Sequence, residues 1–137
     1  MRPLLASLAG ILGVLGLHGR HPTAAATVQV AVDLRCSAPG VHRYTVDPDT
    51  AKLAQGDELE WVLADSATTS ELTITPKQSA WPFADSLRYH GDHGTPAHAK
   101  KMKPYQRGKR FGYAVRMICA KGGTDTVNID PQIIRTA

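Results

Sequence analysis

Three histidines lie close together in the segment His90-Gly91-Asp92-His93-Gly94-Thr95-Pro96-Ala97-His98. Imidazole nitrogens are common ligands of zinc and copper, and ligands that are close in sequence are assembled at a small entropic cost. The spacing of His90, His93 and His98 matches no strong metal-binding signature, and the glycines and proline between them are typical of a flexible, exposed loop. The segment therefore has two interpretations, a copper or zinc site formed by the three histidines or a solvated loop that binds no metal.

The chain contains two cysteines, Cys36 and Cys119. In an oxidising compartment an even pair is first interpreted as a disulfide, so we predict that these two are bridged. Each lies on the apolar row of an alternating segment, and two inward-facing cysteines of a sandwich can meet in its core, which parity permits but does not prove. A free thiol and a metal ligand are the alternatives.

Other residue patterns that carry chemistry are absent from the sequence. There is no Gly-x-Ser-x-Gly elbow, no Cys-x-x-Cys pair and no phosphate-binding glycine loop. Acids such as Asp65 and Asp85 have ordinary loop contexts, and the sequence cannot pair them as an acid and a base. We therefore predict no catalytic residue, no enzyme activity and no cofactor beyond the copper or zinc alternative. A small hydrolase with an unrecognised site is the competing hypothesis.

The chain carries 16 Lys and Arg against 12 Asp and Glu, and the two signs are separated along it. Acids dominate residues 47–71, whereas residues 100–116 contain bases and no acid. We predict that a basic run faces a partner, either an unknown protein or an anionic surface. This run comprises Lys100, Lys101, Lys103, Arg107, Lys109 and Arg110. Two ordinary solvated faces are the alternative, and no nucleic-acid partner is expected of an exported protein.

Residues 1–26 have the three-part layout of a secretion signal. Arg2 supplies the positive charge, residues 4–17 are apolar, and Ala24-Ala25-Ala26 offers the small residues that a signal peptidase needs. The apolar stretch is shorter than the roughly 20 residues of a membrane-spanning helix. We therefore expect a cleaved signal over 1–26, a single domain over 27–137, secreted or periplasmic localisation, and no membrane span after cleavage. An uncleaved membrane anchor is the alternative.

The elements that must position these residues show the alternation of strands. Apolar residues recur at every second position from Val28 to Leu34, from Leu59 to Leu63 and from Phe111 to Cys119. We predict an all-β, antiparallel Greek-key sandwich of about seven strands. Residues 76–107 show no sustained period and are rich in proline and glycine, which predicts a long loop that carries the histidines and most of the basic run.

A family resemblance appears between Tyr44 and Trp61. The stretch Tyr44-Thr45-Val46-Asp47-Pro48-Asp49 through Ala51-Lys52-Leu53-Ala54-Gln55-Gly56-Asp57-Glu58-Leu59-Glu60-Trp61 resembles the strand, proline turn, short strand, Gly-Asp turn and strand of the cupredoxin-like sandwich. Tyr113-x-Val115 leading to Cys119, followed by a glycine turn and a last strand, is also similar. The resemblance implies a cupredoxin-like fold, whose blue-copper members bind the metal with two histidines and a thiolate.

The chain departs from this family at the copper ligands. The loop after Cys119 reads Ala120-Lys121-Gly122-Gly123, and the loop after the Trp61 strand reads Ala64-Asp65-Ser66-Ala67-Thr68-Thr69-Ser70, so neither contains a histidine. We therefore expect an exported, non-catalytic binding or structural module with a copper-free cupredoxin-like fold. The alternative is a periplasmic or extracellular copper- or zinc-binding protein that uses His90, His93 and His98.

Overall fold

A computed structural model describes residues 24–36, 42–119, 123–127 and 131–136. Within these ranges the chain forms ten strands and no helix, which confirms the all-β prediction. The strands are β1 (Thr27–Cys36), β2 (His42–Asp47), β3 (Thr50–Leu53), β4 (Glu58–Leu63), β5 (Thr69–Pro76), β6 (Tyr89–Asp92), β7 (Ala97–Ala99), β8 (Arg110–Cys119), β9 (Gly123–Val127) and β10 (Gln132–Arg135).

The described part of the chain has no helix of the length and apolarity needed to cross a membrane. Most of the predicted signal segment lies outside these ranges, so the signal stays a prediction.

The strands form two sheets in a sandwich-like arrangement. The first sheet has the order β2-β1-β4-β7, and the second has the order β3-β10-β8-β5-β6, with β9 paired to β8. Both sheets are mixed, because β1 pairs with β4 and β10 pairs with β3 in parallel. The prediction of an antiparallel sandwich of about seven strands is corrected to two mixed sheets with ten described strands. Alternation of apolar and polar residues identifies a strand. It does not reveal which strand pairs with it, or whether the pair is parallel or antiparallel.

The core lies between the two sheets and is filled by the inward-facing rows of the long strands. Fully buried apolar side chains come from β1, β4 and β8, namely Val30, Val32, Leu34, Leu59, Trp61, Phe111, Tyr113, Val115 and Met117. Burying an aliphatic or aromatic side chain of this kind contributes about 1.5–3 kcal/mol. Trp61 and Tyr113 meet edge to face across the core with their ring centroids 5.5 Å apart. The alternation predicted for these three strands is confirmed.

Residues 76–107 are not one long loop, which corrects the prediction for this segment. It contains β6, at the edge of the second sheet, and β7, at the edge of the first. Phe83 and Met102 also form an isolated bridge, and each is only 2% exposed. Strands of three or four residues are too short to show an alternation, and the irregular stretches between them supply the prolines and glycines that predicted a loop.

An aromatic cluster fastens the first part of this segment to the body of the molecule. The Trp81 indole donates a hydrogen bond of 3.1 Å to the Tyr89 hydroxyl, which lies 2.9 Å from Oδ1 of Asp85. The Trp81 and Phe83 rings pack at 5.9 Å between centroids. Burial raises the pKa of Tyr89 far above its ordinary value, so this hydroxyl stays protonated. The cluster gives the next segment of the chain a rigid base.

Candidate anion-binding surface at one end of the sandwich

The predicted basic run lies on a single ordered segment, residues 100–110, which we call the basic strap. It leaves the first sheet where β7 ends at Ala99 and enters the second sheet where β8 begins at Arg110. The strap therefore crosses one end of the sandwich. Since β7 and β8 belong to different sheets, its position is determined by both layers of the fold.

Backbone hydrogen bonds fix the first half of the strap to two neighbouring turns. The Met102 amide donates to the Asp57 carbonyl at 2.7 Å, and its carbonyl accepts from the Gly56 amide at 2.8 Å. The next amide, that of Lys103, donates to the Pro82 carbonyl at 2.8 Å. Gly56 has a positive φ of 87°, a conformation that glycine adopts without steric cost, so the turn that receives Met102 depends on this residue.

The second half of the strap is held by Tyr105 and by the end of β10. The Tyr105 ring packs on Phe111 at 4.8 Å between centroids, and its hydroxyl donates to the Trp81 carbonyl at 2.6 Å. The guanidinium of Arg135 donates to the Tyr105 carbonyl. The Gly108 amide donates to the Arg135 carbonyl at 2.8 Å. The strap is thus anchored along its whole length.

The charged side chains of the strap lie mostly in solvent. All are exposed except Lys103, which is partly buried with its Nζ 5.8 Å from the centre of the Tyr105 ring. Arg110 donates a hydrogen bond of 2.8 Å to the side-chain oxygen of Gln132. Among the residues that the structure describes, none of the six cations forms an ion pair with a carboxylate. The strap therefore presents several positive charges that the fold does not neutralise by direct contact.

Two carboxylates lie next to the strap, and backbone or hydroxyl groups occupy their oxygens. Asp57 accepts from the Ala26 amide at 3.0 Å and from the Ala54 amide at 2.8 Å. Asp85 accepts from the Tyr89 hydroxyl at 2.9 Å and from the Lys100 amide at 3.1 Å. Both aspartates therefore stabilise the local backbone and contact the strap through main-chain groups, without an ion pair to its lysines.

The three histidines have three different partners. His90 Nδ1 lies 3.0 Å from the Thr73 hydroxyl, and His93 Nε2 donates to the Thr69 carbonyl at 2.9 Å. His98 Nε2 lies 2.7 Å from a carboxylate oxygen of Glu58. His90 lies on β6 and His98 on β7, which belong to different sheets.

These placements do not bring the histidines together. Across the described ranges, no group of three or more His, Cys, Asp or Glu residues could hold a metal ion. The geometry gives no support to the copper or zinc hypothesis, which stays a prediction.

The backbones of the two cysteines lie at the same end of the sandwich. Cys36 ends β1, where its amide donates to the Thr68 hydroxyl at 2.7 Å, and Cys119 ends β8 opposite Thr69 of β5. Cys36 is partly buried against the core, and no free cysteine occurs among the described side chains. The side chain of Cys119 lies outside the description. Bridging of the two cysteines therefore stays a prediction.

A second feature was not predicted from the sequence. A groove with a cavity volume of about 490 Å³ is lined by Asp33, Arg35, Arg43, Tyr44 and Thr45. The only sequence signal was that polar residues occupy the outward positions of β1, and the pairing of β1 with β2 was needed to bring the two arginines together. This groove lies near Cys36, whereas the strap lies near the other end of β1.

No protein-family model and no curated protein sequence matches this chain. Its function must therefore be argued from the chemistry of its surfaces. Ammonium and guanidinium groups stay charged at neutral pH, and they bind anions through charge and hydrogen bonds without transferring a proton. The strap thus has the chemistry of a binding surface.

Proposed function

We propose that this protein is an exported, secreted or periplasmic, non-catalytic binding module over residues 27–137, and that the basic strap binds an anionic partner surface. We also propose that the sandwich is cupredoxin-like, with Greek-key connections and without copper. The observation that carries the binding function is the set of six cations on a backbone-anchored segment, with no carboxylate in ion-pair contact among the described residues. Because the backbone of the strap is already ordered, binding costs less conformational entropy than the ordering of a flexible loop would.

Several exposed cations act on an anionic surface by their summed field. The range of this field is about 10 Å at an ionic strength of about 0.1 M, so added salt weakens it. Lysine and arginine keep their charge throughout the neutral range, so binding should change little between about pH 6 and about pH 8. A histidine-bound metal has the opposite signature, since its affinity falls below about pH 6 and depends little on salt.

Heparin, a sulfated polysaccharide, is a suitable probe for the strap. We expect the wild-type protein to bind it at about 0.05 M NaCl and to lose most of this affinity at about 0.3 M. In the variant Lys101→Gln/Lys103→Gln the affinity should fall about 10- to 30-fold, at about 1 kcal/mol for each cation near an anionic surface. Isothermal titration calorimetry at the two salt concentrations measures both effects.

The matched control is Arg35→Gln/Arg43→Gln, which has the same net charge and alters the opposite end of β1. It should bind heparin nearly as well as the wild type does. Equal weakening of the two variants would show that net charge alone determines binding, and affinity that is independent of salt would contradict the proposal. Thermal unfolding of each variant verifies that the fold is retained.

A further inference from the structure

The groove on β1 and β2 brings two arginines to one place. In the register of this antiparallel pair Arg35 lies opposite Arg43, and Asp33 lies opposite Thr45. Like charges in directly opposed positions destabilise a strand pair unless something neutralises them. Arg35 has an ion pair within the fold, whereas Arg43 is exposed and its guanidinium has no hydrogen bond or ion pair with a described residue. The groove therefore contains one cation that the fold leaves unsatisfied.

Asp33 holds Arg35 in a fixed orientation. The Arg35 Nε and Nη2 groups donate to Asp33 at distances between 2.9 and 3.3 Å, and the Ser66 hydroxyl donates to the same carboxylate at 2.9 Å. The hydrogen bonds from Arg35 lower the pKa of Asp33, so its carboxylate stays ionised. One negative and two positive side chains give the groove a formal charge of about +1. Nη1 of Arg35 makes no hydrogen bond to a described residue.

We infer that this groove is a binding site for a small monocarboxylate ligand. A net charge of about +1 suits a monoanion, and the planar fork of a guanidinium matches the two oxygens of a carboxylate. The register pairs Tyr44 with buried Leu34, so the two arginines, and not the Tyr44 ring, carry the recognition. The inference does not depend on the basic strap, which lies at the other end of β1.

Benzoate is the probe, and benzamide is its neutral counterpart of similar shape. We expect benzoate to shift the backbone amide signals of Arg35, Arg43 and Tyr44 in NMR titrations, with benzamide binding at least about tenfold more weakly. Inorganic phosphate should bind more weakly than benzoate. Equal affinities for benzoate and benzamide, or a higher affinity for phosphate, would overturn the proposed ligand class.

Variants separate recognition by the arginine fork from charge alone. Arg43→Gln should weaken benzoate binding about tenfold, and Arg43→Lys should also weaken it because an ammonium group lacks the planar fork. The matched control Arg107→Gln, on the strap, should leave benzoate affinity unchanged. Wild-type affinity in Arg43→Gln would disprove the site. Heparin binding by the same variants keeps the test separate from the proposed function of the strap.

Discussion

Among the tyrosines of the core, Tyr89 and Tyr113 differ in what their hydroxyls contact. The Tyr89 hydroxyl accepts from the Trp81 indole and donates to an oxygen acceptor nearby. The Tyr113 hydroxyl is fully buried and has no hydrogen-bond partner among the described residues. Its burial raises the pKa of Tyr113 to about 12, because a phenolate in an apolar core loses its hydration. The two residues therefore resist deprotonation in the folded state.

Because these hydroxyls resist deprotonation in the folded state, the free energy of unfolding depends on pH in the alkaline range. A tyrosine in the unfolded chain releases its proton near pH 10, whereas folded Tyr113 keeps it until about pH 12. Below about pH 10 both states bind the proton and the contribution to stability is fully present. Above it the unfolded state alone is deprotonated, so the free energy of unfolding falls as pH rises.

We predict that the free energy of unfolding of the wild-type protein falls by on the order of 1 kcal/mol per pH unit for Tyr113 between about pH 10 and about pH 12. The variant Tyr113→Phe should have a shallower fall, since it has no proton to lose at this position. Urea unfolding at a series of pH values measures the slope. An unchanged slope in Tyr113→Phe would contradict the assignment.

At the scale of single residues the sequence identified the charges but not their surroundings. The six bases of the strap share one segment, and this was visible from their spacing. Asp85 and Trp81 help to anchor the strap, but each is separated in sequence from the strap residue that it contacts. A local sequence pattern does not reveal such contacts. The alternation also could not tell that His90 and His98 lie on different sheets, because parity predicts inward or outward but not the layer.

Strands β6 and β7 pack tightly against each other at Gly91. A Cβ atom added at Gly91 would lie 2.6 Å from the backbone nitrogen of Ala97, whereas one added at Gly94 would meet nothing closer than the Asp92 carboxylate at 3.5 Å. The first contact is with backbone, which cannot rotate away. The second glycine lies at an exposed turn. Gly91 is therefore required by packing, and Gly94 is not.

We predict that Gly91→Ala lowers the free energy of unfolding by about 1–3 kcal/mol, the usual cost of overpacking a tight contact. Gly94→Ala, three residues away, should stay within about 0.5 kcal/mol of the wild type. Urea unfolding monitored by tryptophan fluorescence gives both values. Similar stability of the two variants would show that β6 and β7 can separate without cost.

The long strands could be predicted because they alternate over six to ten residues, as β1, β4 and β8 do. Their order in the sheets could not be predicted, since the parallel pairing of β1 with β4 joins residues about 30 positions apart. Strand β7, with the sequence Ala-His-Ala, has too few residues to show a period. Its pairing with β4 places part of the segment 76–107, which was predicted to be a loop, in the first sheet.

The predicted bridge between Cys36 and Cys119 would join the ends of β1 and β8. These strands belong to different sheets, and both ends lie beside the start of β5. The bridge would close a loop of about 80 residues. In the chain-entropy model a loop of this length adds about 4–5 kcal/mol, although native disulfides are usually worth about 2–5 kcal/mol.

We predict that the double variant Cys36→Ser/Cys119→Ser loses about 2–5 kcal/mol of unfolding free energy under oxidising conditions. Under a reductant the wild-type protein should approach the stability of the variant. Urea unfolding with and without dithiothreitol measures this, and non-reducing peptide mapping identifies the linked peptides. Two free thiols in protein exported to an oxidising compartment would contradict the prediction.

The position of β10 links the order of synthesis to the completion of the fold. This strand follows β3 and β8 in the sequence, yet it lies between them in the second sheet, parallel to β3 and antiparallel to β8. A nascent chain therefore holds β3 and β8 unjoined until β10 has been synthesised, and the buried site of Ile133 stays open to water until then. The second sheet cannot be completed before β10 emerges from the ribosome, so part of its apolar face stays exposed in the nascent chain until then.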